Sequence, residues 1–412
     1  MTSRRIAIVG AGQSGLLLGL GLRANGYDVT IVADKRAEEV RSGPLLSSQL
    51  VFGPAIALER QLGVHFWPGD VAAVTEISFT AAVAPGAPEP AIAWSAGLAA
   101  PAQGVDQRLK VAAWMTEYTR RGGEIRYQKA TLDDIEGFAR EFDLVVVAAG
   151  RGPQFERLFP RDDALSPYRQ AQRFVAALQM RVPDDDPIPA SLRFSQSPAG
   201  EVGIIPALTV EGRALGMGLF AVPGGPMDVW DGVSDTEQHF ELVRKLLRDQ
   251  FPWRAEIIER AEPLSSLRGR ITPTVRHPVG TLPSGAKVLA LGDTAVTNDP
   301  LAGQGANLAA YAARSYASVI LEQGDRAFDE GFMRASFARF WTVGRYATRF
   351  SNDLLAPPAA HMPALFQTAQ VVPEVARRFV GVFENPATYT EWATDGTAAM
   401  RYLEEARARA RG

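Results

Sequence analysis

The chain has 412 residues, 46% of them hydrophobic, which is enough for large cores in two or three subdomains. Its 43 basic and 46 acidic residues leave a formal charge of −3, so no field attracts nucleic acid or an anionic membrane, and a small neutral substrate fits better. There is no cysteine and the 4 histidines are scattered, so disulfides and thiol chemistry are excluded and redox work needs an organic cofactor.

In chain order, Arg4-Arg5 and the apolar run to Leu22 imitate a secretory leader. The run holds a patterned glycine set, continues into Arg23-Ala24-Asn25-Gly26 and meets no small-x-small cleavage site, so it is read as part of the fold. No other segment has the roughly 18 to 20 unbroken apolar residues of a membrane span, and a soluble cytoplasmic protein is expected. Arg5–Val9 is a buried-strand pattern, Gly10 to Gly15 a turn, Leu16 to Ala24 a helix stopped by Asn25-Gly26, and Asp28 to Val32 a second strand. The crossover rule makes the two strands parallel. Arg108 to Arg121 has helical spacing, and Asp143 to Gly150 reads as another buried parallel strand.

From about 168 to 275 alternating runs between Pro and Gly turns predict a second, largely antiparallel sheet, interrupted by a helix over Thr236 to Asp249. Ala82 to Gly104 reads equally as a flexible linker or as a hairpin entering that sheet, since Ile77, Phe79, Ile92 and Trp94 flank its turns. After Asp293 the chain is expected to be helical to its end, with a break at Ala356-Pro357-Pro358 and a solvated last helix pairing Glu405 with Arg409. The fold class is thus α/β: a Rossmann-like half with a parallel sheet, an antiparallel-sheet substrate half and a helical C-terminus.

Strand, G-x-G-x-x-G and helix in this order form a dinucleotide fingerprint, with Gly10 for the turn, Gly12 for approach to a pyrophosphate and Gly15 for helix–strand packing. The acid expected at the end of the second strand is displaced. Ala33 stands there, and Asp34 follows either as the ribose ligand or as a solvated residue. A second stretch, GDTAVTNDPLAGQGAN at 292–307, follows an apolar run much later in the chain. A nicotinamide dehydrogenase keeps its contacts in one contiguous domain, whereas elongated FAD needs a second contact region. Asp293 would accept from ribityl hydroxyls, and the helix beginning near Gly303 and Gly305 would aim its positive end at the pyrimidine edge of the ring.

The pair GAGQSG and GDTAVTNDPLAGQGAN resembles the FAD-dependent monooxygenases of the para-hydroxybenzoate hydroxylase fold. DPLAGQGAN together with FENPATYTEW resembles more narrowly the styrene and indole monooxygenases, over nearly the whole chain. The resemblance implies that a separate NAD(P)H-dependent flavin reductase supplies reduced FAD, to which O2 adds before an oxygen passes to a vinyl or indole double bond. It implies FAD contacts at Gly10, Gly12, Ser14, Gly15, Asp34, Arg108, Gly292, Asp293, Pro300, Gly303, Gly305, Ala306 and Asn307. A helix-start arginine such as Arg108 also suits a salt bridge. Where styrene enzymes carry Asn, Val, His, then Tyr, His and Ser, indole enzymes tend to Ser, Gln, Met, then Val or Ile, Ile and Ala. This chain has Ser47, Gln49, Val51, Val74, Ile77 and Ala102, which resembles the indole branch except at Val51. With Leu301 these would line an apolar slot for a flat aromatic, although Val74 and Ile77 suit plain core equally on pattern.

The expected division is 1–72, 103–167 and 276–330 for FAD, 73–102 and 168–275 for substrate, and 331–412 as a helical region. His65, His239, His277 and His361 lack ligand spacing, so no metal is expected, and Gly216-Met217-Gly218 lacks the helix a nucleotide site needs. No protein acid or base is expected to carry the chemistry. The expected function is indole epoxidation leading to indoxyl and indigo, with styrene epoxidation and thioether sulfoxidation beside it. The competing readings are a styrene monooxygenase, a single-component NAD(P)H-dependent aromatic hydroxylase, and a flavin-binding carrier or sensor; homodimerisation is left open.

Overall fold

The computed structural model describes residues 4–70, 73–183 and 188–411; the expected boundary at 72–73 adjoins residues outside that set. Its strands are β1 (Arg5–Val9), β2 (Asp28–Ala33), β3 (Val74–Ala81), β4 (Ile92–Ala102), β5 (Glu124–Tyr127), β6 (Leu144–Val147), β7 (Phe174–Arg181) and β8 (Ser191–Ser197). They continue with β9 (Gly200–Thr209), β10 (Gly212–Ala221), β11 (Glu262–Arg270), β12 (Thr274–Val275), β13 (Val279–Thr281), β14 (Lys287–Ala290) and β15 (Val296–Thr297).

The first sheet has the order β13-β14-β6-β1-β2-β5, parallel throughout except for the β13–β14 pair. Ile6, Ala7 and Ile8 are fully buried, because helices cover both faces of a parallel sheet. The first helix is Gln13–Ala24, three residues longer at its start than its apolar pattern suggests, since Leu16 N–H already donates to Gly12 C=O at 2.9 Å. That correction places the helix N-terminus inside the glycine motif. The helix Gln107–Arg120 begins on Asp106, whose carboxylate accepts from Arg108 N–H at 2.8 Å, and its Tyr118 hydroxyl donates to Val29 C=O at 2.7 Å.

The second sheet has the order β11-β7-β10-β9-β8-β3-β4 and is antiparallel except where β3 lies parallel to β8. The stretch left open between linker and hairpin is a hairpin, β3–β4, pinned by Phe79 stacked on Trp94 with ring centres 4.9 Å apart. Alternation sets the faces of the central strands. Ala176, Leu178, Val202, Ile204, Leu215, Met217 and Leu219 pack under the helix Thr236–Gln250. Their neighbours Val175, Ala177, Gly203, Ile205, Gly216, Gly218 and Phe220 face a cavity on the other side.

The helix Glu330–Leu355 ends at the expected proline break, and Met362–Val371, Pro373–Glu384 and Gly396–Arg409 cover the hairpin. Glu384 accepts from Ala99 and Ala100 N–H at 2.8 and 3.1 Å. Arg409 lies 4.0 Å from Glu405 as anticipated, but its closer partner is Glu374 at 2.7 Å.

Candidate active site

The two glycine motifs meet. Gly10 has φ +121°, and a side chain there would strike the Ala148 backbone; its N–H donates to Val32 C=O at 2.8 Å, tying the turn to the end of β2. Beside it Gly12 faces open space, as approach of a pyrophosphate requires, while Gly15 packs against Gly10. Gly292, at φ +62°, lies so close to Ser14 that any β-carbon would collide with that side chain. Asp34 is exposed at the end of β2.

Asp293 follows in a short 3-10 turn, Gly292–Thr294, held by the Thr294 hydroxyl donating to Gly150 C=O at 3.0 Å and the Thr297 hydroxyl donating to Asp293 C=O at 2.9 Å. Its side chain is hemmed in by protein yet reachable by solvent, the position of a group on a groove floor. The crowding raises its carboxyl above the ordinary value, against the pull of Arg151.

Beyond it Asp299 is fully buried, with Oδ1 accepting from Leu301 N–H at 3.0 Å and Oδ2 without a partner. Burial pushes its carboxyl up to about 6, with Glu201 adding to the rise and Arg173 and the Leu301 bond opposing it. Pro300, Leu301 and Ala302 form a 3-10 turn, Gly303 closes it at φ +64°, and the helix Gly305–Gln323 starts without a side-chain cap. The N–H groups of Gly305, Ala306 and Asn307 therefore precede the first intrahelical bond, Leu308 to Gln304, and the glycines face open space. The Asn307 side chain braces this turn, accepting from Phe52 N–H at 2.8 Å and donating to Leu50 and Gly303 carbonyls at 3.0 and 2.9 Å. Its side-chain amide is thus committed to the chain, leaving its backbone to face a ligand.

Side-chain amides tie the glycine turn to the segment before the third helix and to the start of the helix Gln107–Arg120. Gln13 donates to Gln49 at 2.6 Å, Gln49 to Gln107 at 3.2 Å, and Ser47 to the same Gln107 oxygen at 2.8 Å. Arg108 turns inward: its guanidinium grips Asp106 at 2.7 Å and donates to Gly43 C=O, Gln179 and Ser265 at 3.1, 2.9 and 3.3 Å. It is a buried tie between the sheets, the salt-bridge alternative to a cofactor contact.

Against the Pro300–Gly303 turn lies a cavity of about 160 Å³, lined by Ser47, Ser48 and Leu301 and walled by Phe194, Ile205, Phe220 and Phe383. Leu46, 47% exposed, stands at its rim. A smaller space of about 30 Å³ adjoins it and is lined by Ile77. Of the expected pocket residues, Ser47, Ile77 and Leu301 line these spaces. Gln49 reaches Ser47 through Gln107, while Val51, Val74 and Ala102 are core: Val51 bridges Gln103, and Val74 pairs with Ala102. Their strand-pairing geometry, invisible in composition, turns them inward. Gly216 and Gly218, which lack the helix of a nucleotide motif, are cavity wall, where the absent β-carbons let Ser48 and Phe220 lie close against the strand. Gln13, Asp299 and Phe383 lie within the motifs GAGQSG, GDTAVTNDPLAGQGAN and FENPATYTEW without a role of their own in the sequence, Phe194 lies in an alternating run, and nothing in the sequence marks Gln107 or Ser48.

The donor set fits FAD: open glycine backbone at both motifs, a carboxylate between them, an uncapped helix start and an apolar chamber beyond. The histidines stand elsewhere, His65 at Glu59, His277 at Asp162, His361 on Ala393 C=O and His239 in the core. Among the described residues no helix is long and apolar enough to cross a membrane.

Solved structures share this architecture. The flavin-dependent brominase Bmp2 aligns with a TM-score of 0.70 at 13% identity over 99% of this chain and 100% of that one. HpxO of Klebsiella pneumoniae, solved with FAD and uric acid, aligns with a TM-score of 0.67 at 15% identity over 93% and 97%. The family described as "Styrene monooxygenase A putative substrate binding domain" matches residues 150–257. Styrene monooxygenase StyA of Pseudomonas fluorescens is 30% identical and that of a Pseudomonas sp is 31% identical, each over 93% of both chains. With that similarity end to end, and both glycine motifs brought together, the chain belongs to the styrene monooxygenase family.

Proposed function

We propose that the protein is the oxygenase of a two-component system: it receives reduced FAD from an NAD(P)H-dependent flavin reductase and, with O2, epoxidises indole at its pyrrole double bond. Styrene epoxidation and thioether sulfoxidation accompany this activity, and indoxyl and then indigo follow from the indole product. Residues 1–72, 103–167 and 276–330 serve FAD, and 73–102 with 168–275 serve substrate. The observation that carries the reading is the apolar cavity of about 160 Å³ set against the Pro300–Gly303 turn. Its size is close to that of an engineered cavity of about 150 Å³ that takes benzene. Ser47 at its wall and Ile77 beyond support the indole branch.

Bound reduced FAD supplies O2 activation and carries the oxygen to be transferred. The chain's own residues orient and exclude. Gly305, Ala306 and Asn307, whose backbone N–H groups precede the first intrahelical bond, would hold the flavin's anionic edge when it is bound, a fixed dipole needing no proton transfer. Phe194, Phe220, Phe383 and Leu301 keep water from the reacting end, and the Ser47–Gln107–Gln49 amide chain holds that wall in one position.

The test is aerobic turnover with chemically reduced FAD and a panel of indole, styrene and thioethers. Indole oxidation without a reductase is expected. No turnover of any of them overturns the oxygenase reading, styrene greatly preferred over indole overturns the branch, and rapid flavin reduction by NADPH alone overturns the two-component reading.

A further inference from the structure

The smaller space is walled by Ile77, Phe79, Trp94, Leu354, Phe366 and Phe379 and shares Phe194, Leu301 and Phe383 with the larger cavity. It is the inner of the two, since Phe79 and Phe379 are 4% exposed whereas Leu46 opens the outer one. Its walls are fixed by ring stacking: Phe79 lies 4.7 Å from Phe366 and 6.1 Å from Phe194, and Trp94 meets Phe379 edge-on at 5.9 Å. Glu201 borders the space, but both its oxygens are held by Arg173 at 2.8 Å, so it offers a ligand little. A volume of about 30 Å³ cannot hold a ring. It holds a group of one or two carbons, or a halogen; apart from Glu201 and the half-buried Gln196 its lining is apolar, so it offers water few partners.

We propose that this inner chamber is a distal subsite for a small apolar substituent carried on the aromatic ring of the substrate, with Leu301 as the partition and Ile77 as the residue that sets its depth. Leu301 sits on the turn capped by Asp299, so the same turn that faces the cofactor groove gauges the far end of the substrate. Each carbon buried there is worth about fourfold in affinity. The inference rests on the outer cavity being the substrate site, and its test separates the two.

Two measurements run in parallel on the FAD-loaded protein. The first is binding of toluene, ethylbenzene and propylbenzene; the second is kcat/KM for styrene and indole against their ring-methylated forms, one position at a time. Ethylbenzene should bind about four times more tightly than toluene, and at least one methylated substrate should exceed its parent severalfold. Ile77→Phe should abolish both preferences, and Ile77→Ala should extend them to propylbenzene. Ile77→Val, which removes one carbon, gives a smaller shift in the direction of Ile77→Ala should the larger substitutions unfold the chain. Preferences unchanged in all three variants overturn the subsite. Ile77-dependent binding preferences without any turnover support the subsite and reject the oxygenase reading instead.

Discussion

Ser14 fills the space in which a β-carbon on Gly292 would have to stand, so the first helix of the chain and the turn after β14 are fitted side chain to backbone. Gly292→Ala should lower FAD affinity at least tenfold and destabilise the apo protein by about 1–2 kcal/mol from the left-handed backbone alone. Adding Ser14→Gly should relieve the collision but not the backbone cost. A double-mutant cycle in urea should give a coupling of about 0.5–3 kcal/mol, and additive effects would mean the two segments are not in contact.

Asp293 is crowded by protein in a way that disfavours its charge. Its folded pKa lies above the unfolded one, so protonation favours folding and the ionised form at neutral pH works against it. Asp293→Asn should therefore give an apo protein with an equal or higher Tm at pH 7 while weakening FAD at least tenfold. A lower Tm with unchanged FAD affinity would assign the residue to structure.

His239 is fully buried, neither ring nitrogen has a hydrogen-bond partner, and it stands edge-on to Trp230 with centres 5.2 Å apart. Burial, aided by Arg268, pushes its pKa down to about 4 from 6.5. Below pH 6.5 the unfolded chain takes up the proton first, so stability is full above that pH, falls as pH drops and levels off near 4. The loss is about 3 kcal/mol at most. His239→Phe should flatten thermal unfolding between pH 6.5 and 4.

Arg173 is the buried cation beside Glu201, and Asp299 lies in its field. Arg173→Met should cost about 3–5 kcal/mol by leaving Glu201 uncompensated, whereas Arg173→Met with Glu201→Leu should recover most of it. Denaturant unfolding of the three proteins measures this, and equal losses in the single and double variants would contradict it.

What the sequence made legible was whatever depends on local pattern. The β1 run, the glycine turn and the alternation from Phe174 onward each follow from periods of the backbone itself. The meeting of the first glycine turn with the Gly292 turn, seen at Ser14, was legible from ligand length, since one elongated cofactor joins distant segments. Side-chain direction was not: Val51, Val74 and Ala102 are expected at the pocket, yet all three are core, Val74 and Ala102 paired across β3 and β4 and Val51 bridged to Gln103. Gln13 and Gln107 gain their roles only through each other's positions, and Asp299 only through its burial beside Arg173.

The sheet orders constrain assembly in time. β14 slots in beside β6, and β3 waits for β8, so each sheet closes only when the ribosome has delivered strands far along the chain. Such non-local pairings make folding slow and leave apolar strand edges open meanwhile. Cooler expression and chaperone capacity should thus raise yield more than any gain in final stability would.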